Sequence, residues 1–242
     1  MDAIVTHDLT KKYKDIIAVD KLNLNIKKGE LFSLLGVNGA GKTTTIKMLC
    51  GLTSADGGDA FLNGYSILRD NDKIHRIIGV SPQETAVAPN LTVKENMKML
   101  CSIYGFDKAK TEQKCEELVR QFNLASFLNK KAGKLSGGQQ RRLSIALSLI
   151  GEPDILFLDE PTLSLDVISR SELWDTIRSL KEKCTIILTT HYMEEAEALS
   201  DRIGIMKDGR LLTVGTADEL KSKTNEEKFE NAFISIIKGA KK

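Results

Sequence analysis

Gly36-Val37-Asn38-Gly39-Ala40-Gly41-Lys42-Thr43 has the spacing G-x-x-x-x-G-K-[ST], and it follows an apolar run, Leu31 to Leu35, and opens a helical pattern, Lys42 to Leu49. A phosphate chain needs inward-pointing backbone N–H groups, and glycines let a loop curl tightly enough to supply them. The helix start adds partial positive charge, so Asn38, Gly39, Ala40, Gly41, Lys42, Thr43 and Thr44 form a candidate phosphate cradle. Lys42 is placed to reach the β- and γ-phosphates of a nucleotide, and the Thr43 hydroxyl to ligate Mg²⁺. A second apolar run, Ile155 to Leu158, ends in Asp159-Glu160-Pro161. Asp159 is the candidate second metal ligand, and Glu160 the candidate general base for a water attacking the γ-phosphate. Ser136-Gly137-Gly138-Gln139 leads into a helix read from Gln140 to Leu149, so a hydroxyl and two cleared N–H groups stand at another helix start. Either that serine is a plain N-cap, or the chain presents a second anion contact that needs a second phosphate ligand or a partner molecule.

These groups require strands that deliver them. Leu31–Leu35, Ile155–Leu158 and Thr185–Leu188 read as buried strands of a parallel sheet, each ending in polar residues, which is where open α/β sheets place ligands. Before them, short apolar stretches around Ile4, Ile16 and Leu24 suit an antiparallel β-subdomain. From Thr92 to Leu149 the spacing is helical, which predicts an inserted α-helical subdomain. Lys207-Asp208-Gly209-Arg210 reads as a hairpin turn, and Phe229, Phe233, Ile236 and Ile237 fall on one stripe of a terminal helix. The expected organisation is one domain over 1–220, with the α/β core and β-subdomain in 1–85 and 150–220, the helical subdomain in 86–149, and a tail over 221–242.

Composition narrows the classes. Of 242 residues 41% are hydrophobic, enough for a large core, so a disordered or fibrous chain is excluded. The net charge of +2, without a block of five like charges, leaves no nucleic-acid footprint, and no nucleic acid is expected as partner. No apolar run approaches the roughly 18 residues that span a bilayer, and the first residues lack a signal peptide's pattern. Four cysteines without C-x-x-C spacing read as reduced thiols, so a soluble chain on the cytosolic side is expected.

In motif order the chain resembles the nucleotide-binding subunit of an ATP-binding cassette (ABC) transporter, from about Ala3 to Leu220. Leu135-Ser136-Gly137-Gly138-Gln139 is similar to the family's signature motif, and Ile155 to Pro161 to its Walker B strand. The resemblance implies a P-loop NTPase core of α/β class with ATP and Mg²⁺ as ligands. It further implies adenine stacking on Tyr13, Gln83 near Mg²⁺ and the attacking water, His191 as the γ-phosphate switch, and Asp166 in the loop that crosses to a partner. Ser164 and Val167 depart from the family, which usually has Gly and commonly Pro there. Signature residues of one subunit complete the ATP site of another in this family, which accounts for the second anion contact at Ser136.

The resemblance implies an engine for a separate transmembrane permease, working at the cytoplasmic face of the membrane, paired with a second cassette as homodimer or heterodimer. The run from His191 to Glu197 and the ending soon after Leu220 are similar to the exporter branch. The alternative is a ribosome- or DNA-associated ABC ATPase. Repair members insert a long coiled coil between phosphate loop and signature, and no sustained heptad run separates Lys42 from Ser136. Lys42→Ala removes the fixed cation of an otherwise amide-lined loop and is expected to abolish turnover and weaken ATP binding, as a turnover assay with a nucleotide-binding titration will show.

Overall fold

The computed structural model describes residues 1–240; Lys241 and Lys242 of the expected tail lie outside the described residues. In chain order the elements are β1 (Asp2–Tyr13), β2 (Ile16–Lys27), β3 (Leu31–Leu35), α1 (Lys42–Leu49), β4 (Gly57–Leu62), β5 (Tyr65–Ser66), α2 (Asn71–Ile77), β6 (Ile78–Ser81), α3 (Val93–Ile103) and α4 (Lys108–Gln121). They continue as α5 (Gly137–Ser148), β7 (Ile155–Asp159), α6 (Val167–Leu180), β8 (Thr185–Thr190), α7 (Met193–Leu199), β9 (Arg202–Lys207), β10 (Arg210–Gly215), α8 (Ala217–Thr224) and α9 (Phe229–Gly239).

Two sheets organise the chain. β2-β1-β4-β5 is antiparallel, and β2 shows why: Leu22, Leu24 and Ile26 face inward while the residues between them are exposed, a two-residue period with one wet face. The core sheet runs β10-β9-β3-β8-β7-β6, parallel from β9 through β6 and antiparallel only at β10. β3, β7 and β8 are buried at every residue because the sheet is covered on both faces.

The sequence reading finds three of the six core strands as such. β6 is missed because four residues ending before a proline carry too little pattern, and β9 is legible only as one arm of the Asp208-Gly209 hairpin. The N-terminal apolar stretches around Ile16 and Leu22 belong to one strand of 12 residues. α5 begins at Gly137, three residues before the expected Gln140, because Ser136 and Gln139 cap each other and draw both glycines into the first turn.

The helical subdomain is fixed at its entrance by Asn96. This fully buried amide accepts from the Ala88 N–H at 2.8 Å and donates to the carbonyls of Ala88, Leu91 and Thr92. Its apolar cluster, with Val93, Met97, Leu118, Phe122 and Leu143, is continuous with the sheet face carrying Leu156 and Leu158. The opposite face packs on the antiparallel sheet through Phe32, Phe157, Ile4 and Leu62.

At the β9–β10 end a third cluster joins Leu35, Ala196, Ile203, Ile205 and Leu220 to Phe229 and Phe233 of α9. Ile236 and Ile237 pack against it, so the terminal stripe closes on its own domain, and Lys207 Nζ donates to the Ile237 and Ala240 carbonyls at the helix end. Phe229 is 2% exposed. Phe229→Ala is expected to destabilise the domain by about 3–5 kcal/mol, read from the denaturant midpoint at unchanged slope.

Candidate nucleotide site

Four parallel strands point their C-terminal ends at one place: β3 delivers the glycine loop, β7 delivers Asp159 and Glu160, β8 delivers Thr189 to His191, and β6 delivers Pro82 and Gln83. Between them lies a cavity of about 540 Å³ lined by Tyr13, Ala18, Asn38 to Thr44, Gln83, Glu160, Leu163 and His191. Residues far apart in sequence thus meet where the motif reading requires them to meet.

The loop is shaped at Gly41. Its φ of +104° lies in the region L side chains avoid, and a Cβ there would collide with the Ala18 carbonyl. The turn points Lys42 back across the loop. Its ammonium donates to the Gly36 carbonyl at 2.7 Å and stands 3.3 Å from Glu160 Oε1, while both residues are 5% exposed. The other carboxylate oxygen of Glu160, Oε2, pairs with His191 Nδ1 at 2.7 Å. Glu160 is therefore gripped from both sides, facing the cavity.

Its backbone is held as firmly. Glu160 has φ +49°, a left-handed conformation costing a non-glycine residue on the order of 1–2 kcal/mol. Its N–H donates to the Thr189 carbonyl and hydroxyl, both at 3.1 Å, and its carbonyl accepts from the Leu163 N–H at 3.2 Å, closing a turn over Pro161 and Thr162.

Asp159 Oδ1 accepts from the Thr43 hydroxyl at 3.0 Å and from the Thr189 hydroxyl. A hydroxyl and a carboxylate at this distance form a hard-oxygen pair of the kind that would suit Mg²⁺. Gln83 is exposed on the same cavity wall, at the passage from β6 into the helical subdomain. Tyr13, 46% exposed, stands at the rim with Lys11 Nζ 5.3 Å from its ring centroid.

The signature residues stay outside this cavity. Ser136 and Gly137 are exposed, and the Ser136 hydroxyl accepts from the Gln139 N–H at 3.3 Å, so within one chain it works as an N-cap. Asp166 likewise caps α6, where the Ser169 N–H and hydroxyl bind its carboxyl and hold it below the usual carboxylate range. The geometry at the two departures shows why the family's usual residues suit these positions. Ser164 has φ +63°, which favours glycine, and Val167 is the first residue of α6, where proline is favoured.

Arg141 escapes the motif reading because nothing in Gln140-Arg141-Arg142 marks one arginine as buried. It is 5% exposed, donates from Nη1 to the Pro82 carbonyl at 2.6 Å and from Nη2 to the Gln83 carbonyl, and so ties the signature helix to the Gln83 loop. Burial lowers its pKa, opposed by the charge of Asp159. Thr189 and Glu195 are also missed as site residues; the second lies in the acidic run Glu194 to Glu197, where nothing local marks one carboxylate as buried.

Comparison with known proteins agrees with this geometry. The family model described as "ABC transporter" matches residues 19–163. The probable multidrug ABC transporter ATP-binding protein YbhF of Escherichia coli (strain K12) is 40% identical over 97% of this chain, which spans 41% of that protein's length. The daunorubicin/doxorubicin resistance ATP-binding protein DrrA of Streptomyces peucetius is 42% identical over 91% of this chain and 67% of its own. Among solved structures, an ATP-binding subunit of an ABC transporter superposes with a TM-score of 0.87 at 26% identity, covering 97% of this chain and 99% of the other. A dimeric bacterial ABC transporter cassette superposes at 0.80 with 30% identity, covering 88% and 98%. A glycine loop, an Asp-Glu strand end and a histidine facing one cavity, in a chain so matched over its length, place this protein in the ABC transporter family.

Proposed function

We propose that this chain binds and hydrolyses ATP to drive an exporter, and that Glu160, held between Lys42 and His191 at the mouth of the glycine loop, is the group that activates water. That clamp is the observation on which the reading rests. A carboxylate is a useful base only if its proton acceptor oxygen is held toward the reacting centre, and two flanking donors fix both oxygens here. Lys42 is anchored on loop carbonyls, so its charge stays at the cradle when phosphate oxygens compete for it. The N–H groups of Asn38 to Thr44 receive the phosphates, Tyr13 receives the adenine ring at the rim, and His191 bridges the base and the γ-phosphate. Thr43 and Asp159, with Gln83 approaching from the helical subdomain, would hold Mg²⁺, which supplies charge neutralisation when bound.

Ser136, Gly137, Gly138 and Gln139 face away from their own cavity and serve the nucleotide of a second cassette, as Asp166 does from the start of α6. The dimeric relative supports this arrangement. A groove of about 340 Å³ beside the Gln83 loop, lined by Leu52, Val80, Ala86, Leu100 and Tyr104, suits a cytoplasmic segment of a permease. Arg141 then couples that contact to the signature helix, because it holds the carbonyl of Gln83 itself. No helix among the described residues is long and apolar enough to cross a membrane; in this reading the chain works at the cytoplasmic face, held there by the permease. YbhF and DrrA, named for multidrug transport and for daunorubicin/doxorubicin resistance, support export as the direction.

Glu160→Gln keeps size and hydrogen bonding, so ATP binding is expected to survive while turnover falls by about 10²- to 10⁴-fold. With Mg-ATP this variant should elute as a dimer in gel filtration, and adding Ser136→Arg should return it to monomer; turnover at the wild-type rate would show that Glu160 is not the base. Cysteines placed from Glu84 to Asn90 are expected to crosslink to the permease in membranes, whereas crosslinking confined to α9 would move the docking site to the tail.

A further inference from the structure

Glu195 stands one turn beyond His191, in the first turn of α7, and is fully buried. Its Oε1 accepts from the Thr162 hydroxyl at 2.7 Å and from the Trp174 indole N–H at 3.0 Å, while Oε2 is buried with no hydrogen-bond partner among the described residues. Burial and the nearby charge of Glu160 push its carboxyl pKa upward, against the donors on Thr162 and Trp174. Stability alone is a poor reason for such a group, since an apolar side chain would fill the same space without a stranded oxygen.

What Glu195 joins gives it a role. Thr162 is fully buried and is the third residue of the turn Glu160-Pro161-Thr162-Leu163 that holds Glu160 at φ +49°. Trp174 belongs to α6, which follows that turn through Leu165 and Asp166, and α7 follows His191. One carboxyl oxygen therefore locks the segment behind the base to the segment behind the histidine that grips the base.

We propose that Glu195 is a positioning residue for hydrolysis: through Thr162 it fixes the turn that aims Glu160 at the cavity, and through Trp174 it registers that turn against α6. The proposal rests on the reading of Glu160 as the base. Without the lock the turn is free to relax its left-handed residue, and the Glu160 carboxylate leaves its place between Lys42 and His191. The glycine loop does not touch Glu195, so nucleotide affinity is independent of it.

Trp174 is the only tryptophan of the chain, so its emission reports on this bond directly. In the full-length protein, Glu195→Met is expected to lower kcat about 10-fold or more with the KM for ATP within about twofold, and to shift the Trp174 emission as the indole loses its acceptor. Glu195→Gln, whose amide oxygen accepts the same two bonds, is expected to restore both. Thr162→Val, which removes one hydroxyl at constant volume, should reproduce the kcat loss and decides the matter if Glu195→Met fails to fold. A purely structural role would lower the melting temperature and leave kcat of the folded protein and its ratio to KM unmoved. Wild-type kcat in Thr162→Val or folded Glu195→Met, or a Gln variant as slow as Met, overturns the proposal. These outcomes separate from failure of the underlying reading: an active Glu160→Gln removes the base, whereas an inactive Glu160→Gln beside a fully active Thr162→Val removes only the positioning role.

Discussion

The buried approach of Lys42 to Glu160 is the constraint around which the site is arranged. An ammonium and a carboxylate, each 5% exposed and 3.3 Å apart, have both given up most of their water. Losing either partner would leave a buried charge uncompensated, a cost of about 3–5 kcal/mol where such pairs have been broken. The surroundings supply what the pair lacks: Gly36 and Val37 carbonyls for the ammonium, and His191 for the second carboxylate oxygen. In the proposed function a nucleotide's phosphates would enter the same field and replace one set of oxygens around Lys42 with another.

That pair can form only because two parallel strands about half the chain apart in sequence flank β8. β3 and β7 each pair with β8 in register, Leu35 beside Thr190 and Asp159 beside Thr189, so their C-terminal ends finish level. β8 then works as a ruler. Thr189 takes the backbone N–H of Glu160 and the side chain of Asp159, and two residues further on His191 takes the Glu160 carboxylate. A one-residue slip would turn these groups into the packed faces of the sheet, where Leu156, Phe157 and Ile187 now stand.

The helical subdomain enters this arrangement through polar contacts with backbone, not through apolar packing alone. Arg141 holds the carbonyls of Pro82 and Gln83, and Arg142 pairs with Glu172 of α6, so α5 is tied both to the loop beside the cavity and to the helix that follows the Glu160 turn. The signature residues at the start of α5 thus share a rigid element with the Gln83 loop. Movement of that element relative to the core changes the position of Gln83 and of Ser136 together.

The sequence by itself determined the phosphate loop, its flanking strand and helix, the Asp-Glu strand end and the motif order, because each is a local pattern of residue types within a few positions. Leu31–Leu35 and Lys42–Leu49 are legible for that reason, and so is the two-residue turn at Asp208-Gly209. Which charges are buried was decided only by the tertiary structure. Arg141 reads like Arg142, and Glu195 like Glu194 and Glu197, yet one of each is desolvated by elements that arrive from elsewhere in the chain. The left-handed backbone of Glu160 is equally invisible, since no local preference selects it. It is imposed by hydrogen bonds from β8 and from the turn's own closure, and such bonds exist only after strands distant in sequence have paired.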